Sequence, residues 1–332
     1  DTVLIYGNEL PKHERTLQAF NPANGRSRDL VDAKDVIEAM NEILQPDEPI
    51  EELGWPSTVS ADGRYAAYAR SGDILLLDLR NSDVIAVTST DAAESSPRFS
   101  PDGAWLAYVR DNDIFAWNIA DGEEKRLTTD GSDTTLNGTL SWVYWEELFN
   151  RADRGFEWSP DSRSIVYLQT DDSGVGEMHY VDFEPYLPKL IDQRHPKPGS
   201  ANPKVRAGVV SLDDASTTWI DLGAYPYEYL ARIQWLPGSE RVAVQTMNRP
   251  QTIVDLFVAD VDTGTARHLL RETDEGWVNI HDDLLFLADG EHVIWRSERD
   301  GYSHLYRFDM NGELVNRITD GEWALRQSGG PA

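Results

Sequence analysis

Apolar residues in this chain gather in short runs of strand length, and each run is announced by a turn signal. Ser60-Ala61-Asp62-Gly63 stands before RYAAYARSGDILLLDL, Ser100-Pro101-Asp102-Gly103 before AWLAYVRDNDIFAWNI, and Ser159-Pro160-Asp161-Ser162 before RSIVYLQTDDSGVGEMHYVDF. Leu236-Pro237-Gly238-Ser239 and Leu287-Ala288-Asp289-Gly290 precede ERVAVQTMN and EHVIWRSERDGYSHLYRFDM. Proline presets φ and glycine supplies a positive φ, so each signal predicts a tight turn between strands. A second, acidic turn follows most of these runs, as in Asn118-Ile119-Ala120-Asp121-Gly122 before EEKRLT and Asp262-Thr263-Gly264 before TARHLL. Strand, turn, strand, turn, strand at a period of about 40–50 residues predicts an all-β chain, a β-propeller of four-stranded antiparallel blades. A β-sandwich is the competing reading, but sandwiches do not repeat a turn sequence at blade spacing.

Three segments break the pattern. VDAKDVIEAMNEIL, residues 31–44, puts Val36, Ile37, Met40, Ile43 and Leu44 at helical spacing, with Asp32 as N-cap and Pro46 just beyond the end. It reads as an amphipathic helix inserted in the first blade, with a packing role. Two insertions interrupt the later blades, from about residue 130 to 155 and from about 171 to 206. The second carries Pro196, Pro198, Gly199 and Pro203, which predict a rigid extended loop. Insertions on such a scaffold leave its rims, where binding residues collect.

Composition narrows the function classes. A hydrophobic share of 40% suffices for a packed interior, and no apolar run approaches the ~20 residues of a membrane-spanning helix. The 58 Asp and Glu against 30 Lys and Arg, a formal charge of −28, repel nucleic acid and anionic lipid. With no cysteine, disulfides and thiolate metal sites are excluded. No Gly-x-Ser-x-Gly elbow, P-loop, dinucleotide fingerprint or His-Glu-x-x-His occurs. His179 and His195 share an insertion without a third ligand and read as loop histidines. Asp171-Asp172 and Asp213-Asp214 read as solvated turns. No cofactor or metal is expected, and no catalytic residue is identified.

One motif remains. SWVYWEELFNR, residues 141–151, crowds aromatic residues against two adjacent carboxylates, Glu146 and Glu147. Residues 142–149 favour a short helix lodged by Trp142, Tyr144 and Phe149. Consecutive α-helical residues diverge by ~100°, so both carboxylates reach one ligand only if it sits between them. A protonated α-amine suits that position, offering three donors and a positive charge. The other reading is structural: one glutamate pairs with Arg151 or Arg154 and the other faces water.

WVYWEELFNR followed by FEWSPDSRSIVYLQTD and then HPKPGSANPKV resembles the N-terminal β-propeller of dipeptidyl peptidase IV-like serine peptidases. That family shows Trp-Val-Tyr-x-Glu-Glu, a Trp-Ser-Pro turn and a Pro-Lys-x-Gly-x-x-Asn-Pro stretch, in this order. GWVNIHDDLLFLADGEHVIWRSERDGYSHLY resembles its bacterial members, and the likeness runs from about residue 55 onward. Ser141 stands where many relatives carry Asp, and Trp145 where some carry an acidic residue. The resemblance implies that Glu146 and Glu147 hold the N-terminal amine of a peptide substrate and set the cut two residues inward, often after Pro or Ala. It implies a serine triad on a C-terminal α/β-hydrolase domain of the same polypeptide, so that this chain by itself is expected to be inactive. It implies eight blades, of which about six are expected here, with DGEWALRQSGGPA at the start of the next. An open ring of blades exposes strand edges, which favours aggregation or pairing with another chain; a homodimer is among the candidate partners. Family resemblance favours a periplasmic or secreted location, although DTVLIYGNEL has no signal-peptide pattern. Some relatives hold the substrate carbonyl with a propeller arginine, for which Arg70 is the weak candidate. The rival class is a non-catalytic binding propeller of the TolB type, which shares Ser-Pro-Asp-Gly turns but has no use for adjacent glutamates on a rim helix.

Overall fold

The computed structural model describes residues 3–7, 10–151 and 155–326. The chain divides into two compact units, Asp1–Ser132 and Asp133–Ala332.

In the first unit, Val3–Tyr6, Leu17–Asn21 and Arg26–Asp29 form a three-stranded antiparallel meander. Two four-stranded meanders follow the helix. One contains Thr58–Val59, Tyr65–Arg70, Asp73–Asp78 and Val84–Ala86; the other contains Glu94–Phe99, Trp105–Arg110, Asp113–Asn118 and Glu124–Arg126. The helix spans Ala33–Leu44, and Asp32 caps it by accepting from the Lys34 N–H at 2.9 Å. Gln45 ends it in the left-handed region, one residue before Pro46. The sequence pattern anticipated this helix and its packing role. Val36, Ile37 and Met40 pack with Leu17, Leu53, Tyr68 and Leu75. Ala67, Ile74 and Leu76 pack with Leu106, Tyr108 and Trp117 of the next sheet, so alternate faces of one strand feed two cores.

In the second unit, Tyr229–Trp235, Arg241–Met247, Ile253–Asp260 and Ala266–Thr273 form one four-stranded meander. Leu284–Phe286, His292–Ser297, His304–Asp309 and Leu314–Arg317 form another. The remaining sheet has the same plan but five strands, because its first strand is in two pieces. Thr135–Asn137 and Phe156–Trp158 both pair with the same edge of Ser164–Asp171, which continues to Lys204–Ser211 and Thr217–Trp219. Among the described residues this makes five blade-type sheets, against the roughly six four-stranded blades expected; the first sheet has only three strands. Residues 327–332, at the expected start of a next blade, lie outside the described residues.

The repeated turn signal has a repeated structure. Ser60 Oγ donates to Asp62 Oδ1 at 2.7 Å and accepts from the Tyr65 N–H at 2.9 Å. Ser100 with Asp102 and Ser159 with Asp161 repeat the bond at 2.6 Å. The fourth turn position has φ near +67° at Gly63, +70° at Gly103 and +64° at Ser162, which explains why glycine recurs there. The second insertion folds as a separate two-stranded hairpin, Glu177–Asp182 with Lys189–Arg194. Among the described residues no third strand pairs with this ribbon, and Phe183, Tyr186 and Leu187 near its tip are exposed.

Candidate functional site

The glutamate pair sits on a loop that interrupts a strand without breaking its ladder. Leu168 spans the interruption: its carbonyl accepts from the Gly138 N–H at 3.0 Å, and its N–H donates to the Gly155 carbonyl at 2.9 Å. The loop therefore leaves and re-enters at one point. A Cβ on Gly155 would stand 2.2 Å from the Gly138 carbonyl oxygen, so only glycine allows the two ends to meet.

Within the loop, Trp142 and Val143 begin a helical turn that widens over Tyr144–Leu148 into π geometry. The Phe149 N–H bonds the Tyr144 carbonyl at 2.9 Å, an i→i+5 closure. The expected short helix is present, but wider than an α-helix, so neighbouring side chains diverge by less than the ~100° of α geometry. Tyr144, Leu148 and Phe149 are buried against Leu230, Ile233 and Val166. Trp142 is half-buried and meets the His195 ring edge-on at 4.3 Å, joining the two insertions. His179 bonds Asp192 within the hairpin at 2.6 Å. Among the described residues no group of three or more His, Cys, Asp or Glu is placed to hold a metal ion.

Two anchors fix the turn to the strand Tyr229–Trp235. The Tyr144 hydroxyl, fully buried, accepts from the Leu230 N–H at 3.0 Å. Burial pushes the Tyr144 phenol well above its ordinary range. The pairing register shifts between Leu230 and Arg232, leaving Ala231 as the extra residue of a bulge. Beyond the bulge, Arg232 donates to the Leu148 carbonyl at 2.8 Å and lies 4.8 Å from the Phe149 ring centre. Its Nε donates to Asp282 at 2.6 Å.

The two glutamates have different surroundings. Glu146 receives a bidentate pair from Arg151, Nε at 2.8 Å and Nη2 at 2.6 Å. That guanidinium holds the Glu146 carboxyl below the usual range. Asn150 and Arg151, with φ of 50° and 61°, take the left-handed conformation as the chain turns back to make this contact. Arg154, the other arginine expected as a structural partner, lies outside the described residues. Glu147 is exposed and has no hydrogen-bond or ion-pair partner among the described residues. It lines a cavity of about 610 Å³ with Phe149, Asn150, Tyr229, Trp277, Asn279 and Ile280, together with Arg232 and Asp282. The charged lining residues are Glu147, Asp282 and Arg232, a balance of −1, and Arg232 is already taken by Asp282. The site can therefore accept a cation against Glu147, beside an aromatic ring. The sequence singled out both glutamates, and the arrangement seen, Glu146 on Arg151 with Glu147 exposed, is the one that the structural reading of the pair described. Sequence reasoning missed Arg232, Asp282 and Trp277, for which spacing gives no signal.

A larger cavity, about 700 Å³ beside Tyr225, Met247 and Arg271, has no lining residue from the glutamate loop. Arg70, in the first unit, donates to the carbonyls of Ala69 and Leu53 at 3.3 Å.

Comparison with known proteins agrees with this architecture. The family model described as the dipeptidyl peptidase IV (DPP IV) N-terminal region matches residues 34–330. Dipeptidyl peptidase 4 of Arthroderma otae is 28% identical over 291 residues, and that of Trichophyton rubrum 28% over 290; each alignment covers 82% of this chain. The chain spans 36% of the length of each. The crystal structure of Porphyromonas gingivalis dipeptidyl peptidase 4 superposes over 98% of this chain and 48% of its own, with a TM-score of 0.80 at 24% identity. The fold is therefore that of the β-propeller region of these structures, and the chain belongs to the dipeptidyl peptidase IV N-terminal region family.

Proposed function

We propose that this chain is the substrate-gating and amine-binding region of a serine exopeptidase that releases N-terminal dipeptides, often after Pro or Ala. Glu147, with Glu146 beside it, holds the protonated N-terminus of the peptide. The observation that carries this reading is the exposed Glu147 carboxylate at a cavity of net negative lining, on a turn pinned to the sheet beneath it. A charged α-amine supplies the cation such a carboxylate lacks, and binding energy spent there orients the scissile bond. The Arg151 side chain on Glu146 is 67% exposed, and an exposed ion pair of that kind is easily exchanged. An incoming amine can therefore share or replace the guanidinium. Bond cleavage belongs to a serine nucleophile on an α/β-hydrolase domain of the same polypeptide, with its base and orienting acid.

The test uses the complete polypeptide with its hydrolase domain. Glu147→Gln should lower kcat/KM about ten- to a few-hundred-fold on peptides with a free N-terminus, the usual effect of losing one charged hydrogen bond. N-acetylated peptides should be poor substrates that the substitution barely affects. Glu146→Gln should act in the same direction. Equal losses on free and blocked peptides, or a collapsed melting temperature, would show the pair to be structural.

A further inference from the structure

We propose that Arg232 and Asp282 are positioning residues for the amine site, a role that rests on the amine-binding reading of Glu147. Leu148 follows Glu147 in the chain, and its carbonyl lies at the C-terminal end of the π turn, where helical carbonyls run out of intrahelical donors. Arg232 supplies the missing donor from a strand 84 residues away in sequence, at 2.8 Å. The same guanidinium covers the Phe149 ring and donates to the Ala231 carbonyl at 2.6 Å. A flexible arginine would not hold this place alone. Asp282 fixes Nε at 2.6 Å and balances the charge of a side chain only 17% exposed. The bulge at Ala231 aims the side chain towards the turn rather than along the ladder. Because Leu148 and Glu147 are adjacent, releasing the Leu148 carbonyl moves the Glu147 carboxylate with it. Arg232 and Asp282 both line the Glu147 cavity, so the displacement occurs at the site itself.

The experiment measures inhibition of the complete polypeptide by alanyl-proline and by propionyl-proline, which lacks only the amine. The ratio of the two inhibition constants reports what the amine contributes, and a general loss of fold quality leaves it unmoved. Arg232→Met, which keeps the stem over Phe149 and removes the donors, should lower the ratio about tenfold, as a misplaced binding group does. Asp282→Asn should lower it less, and Arg232→Lys should restore part of it. Glu147→Gln is the control and should abolish the preference for the amine. If Glu147→Gln lowers the ratio while Arg232→Met and Asp282→Asn leave it at the wild-type value, the positioning role is overturned and the amine reading stands. If Glu147→Gln leaves the ratio unchanged, the amine reading fails and the positioning role falls with it. Loss of folding in both Arg232→Met and Asp282→Asn would assign the pair to the fold alone and would also overturn the proposal.

Discussion

Gly155→Ala adds one methyl group at the point where the glutamate loop closes. The new Cβ would meet the Gly138 carbonyl oxygen at 2.2 Å, its carbon at 2.5 Å and the Thr139 nitrogen at 3.0 Å. All three are backbone atoms, so no side chain can swing aside. The two chain ends must separate, and the first bond lost is that between the Leu168 N–H and the Gly155 carbonyl at 2.9 Å. Overpacking of this kind costs about 1–3 kcal/mol, and a lost ladder bond about 0.5–1.5 kcal/mol. A total of about 2–4 kcal/mol is expected. In urea that lowers the unfolding midpoint by roughly 1 M if the slope is near 3 kcal/mol/M. Gly174→Ala is the matched control, since a Cβ there finds no atom within 4 Å, and its midpoint should stay at the wild-type value. Equal midpoints for Gly155→Ala and wild type would refute the closed base of the loop, and with it the claim that the strand reads through the insertion.

Two further substitutions probe the same unit. Tyr144→Phe strands the buried Leu230 N–H and should cost about 1–3 kcal/mol in denaturant unfolding; an unchanged value would mean that Leu230 finds another acceptor. Burial raises the Asp172 carboxyl from its ordinary value to about 6, so the folded chain holds this proton longer than the unfolded chain does. Stability should therefore fall as pH rises through 4 to 6 and stay reduced above. Asp172→Asn should raise the melting temperature at pH 7 by the equivalent of at most about 2–3 kcal/mol and change little at pH 4; equal gains at both pH values would contradict this.

The features legible in the sequence were those fixed by nearest neighbours along the chain. Ser-x-Asp-Gly signals a turn because serine, aspartate and the backbone they bind lie within five residues, as at Ser60 and Tyr65. The helix Ala33–Leu44 was legible from its apolar spacing and its Asp32 cap. Glu146 and Glu147 stood out because adjacent carboxylates among buried aromatics need an explanation. What stayed hidden depends on distant residues. The widening of the turn goes with Tyr144 being held by Leu230, and the hold on Leu148 comes from Arg232. A bulge leaves no mark in the apolar alternation, since YLARIQW reads as an ordinary strand. The loop was expected from about residue 130, whereas residues 135–137 still belong to the strand.

The split strand has a consequence for chain entropy. In the neighbouring meander, Arg241–Met247 and Ile253–Asp260 are joined by a loop of a few residues, and pairing there is local. The strand Ser164–Asp171 instead pairs with Thr135–Asn137 across the glutamate loop, and with Lys204–Ser211 across residues 172–203. Each doubling of a loop costs about 0.6 kcal/mol more to close, so the longer of these connections costs roughly 2 kcal/mol more than a short hairpin. The sheet that carries the glutamates is thus the one in its unit whose strands are joined by the longest connections. The buried anchors at Tyr144, Leu148 and Phe149 offset that cost by tying the loop back to Tyr229–Trp235. The same contacts that fix the glutamate turn also tie together the sheet with the longest connections.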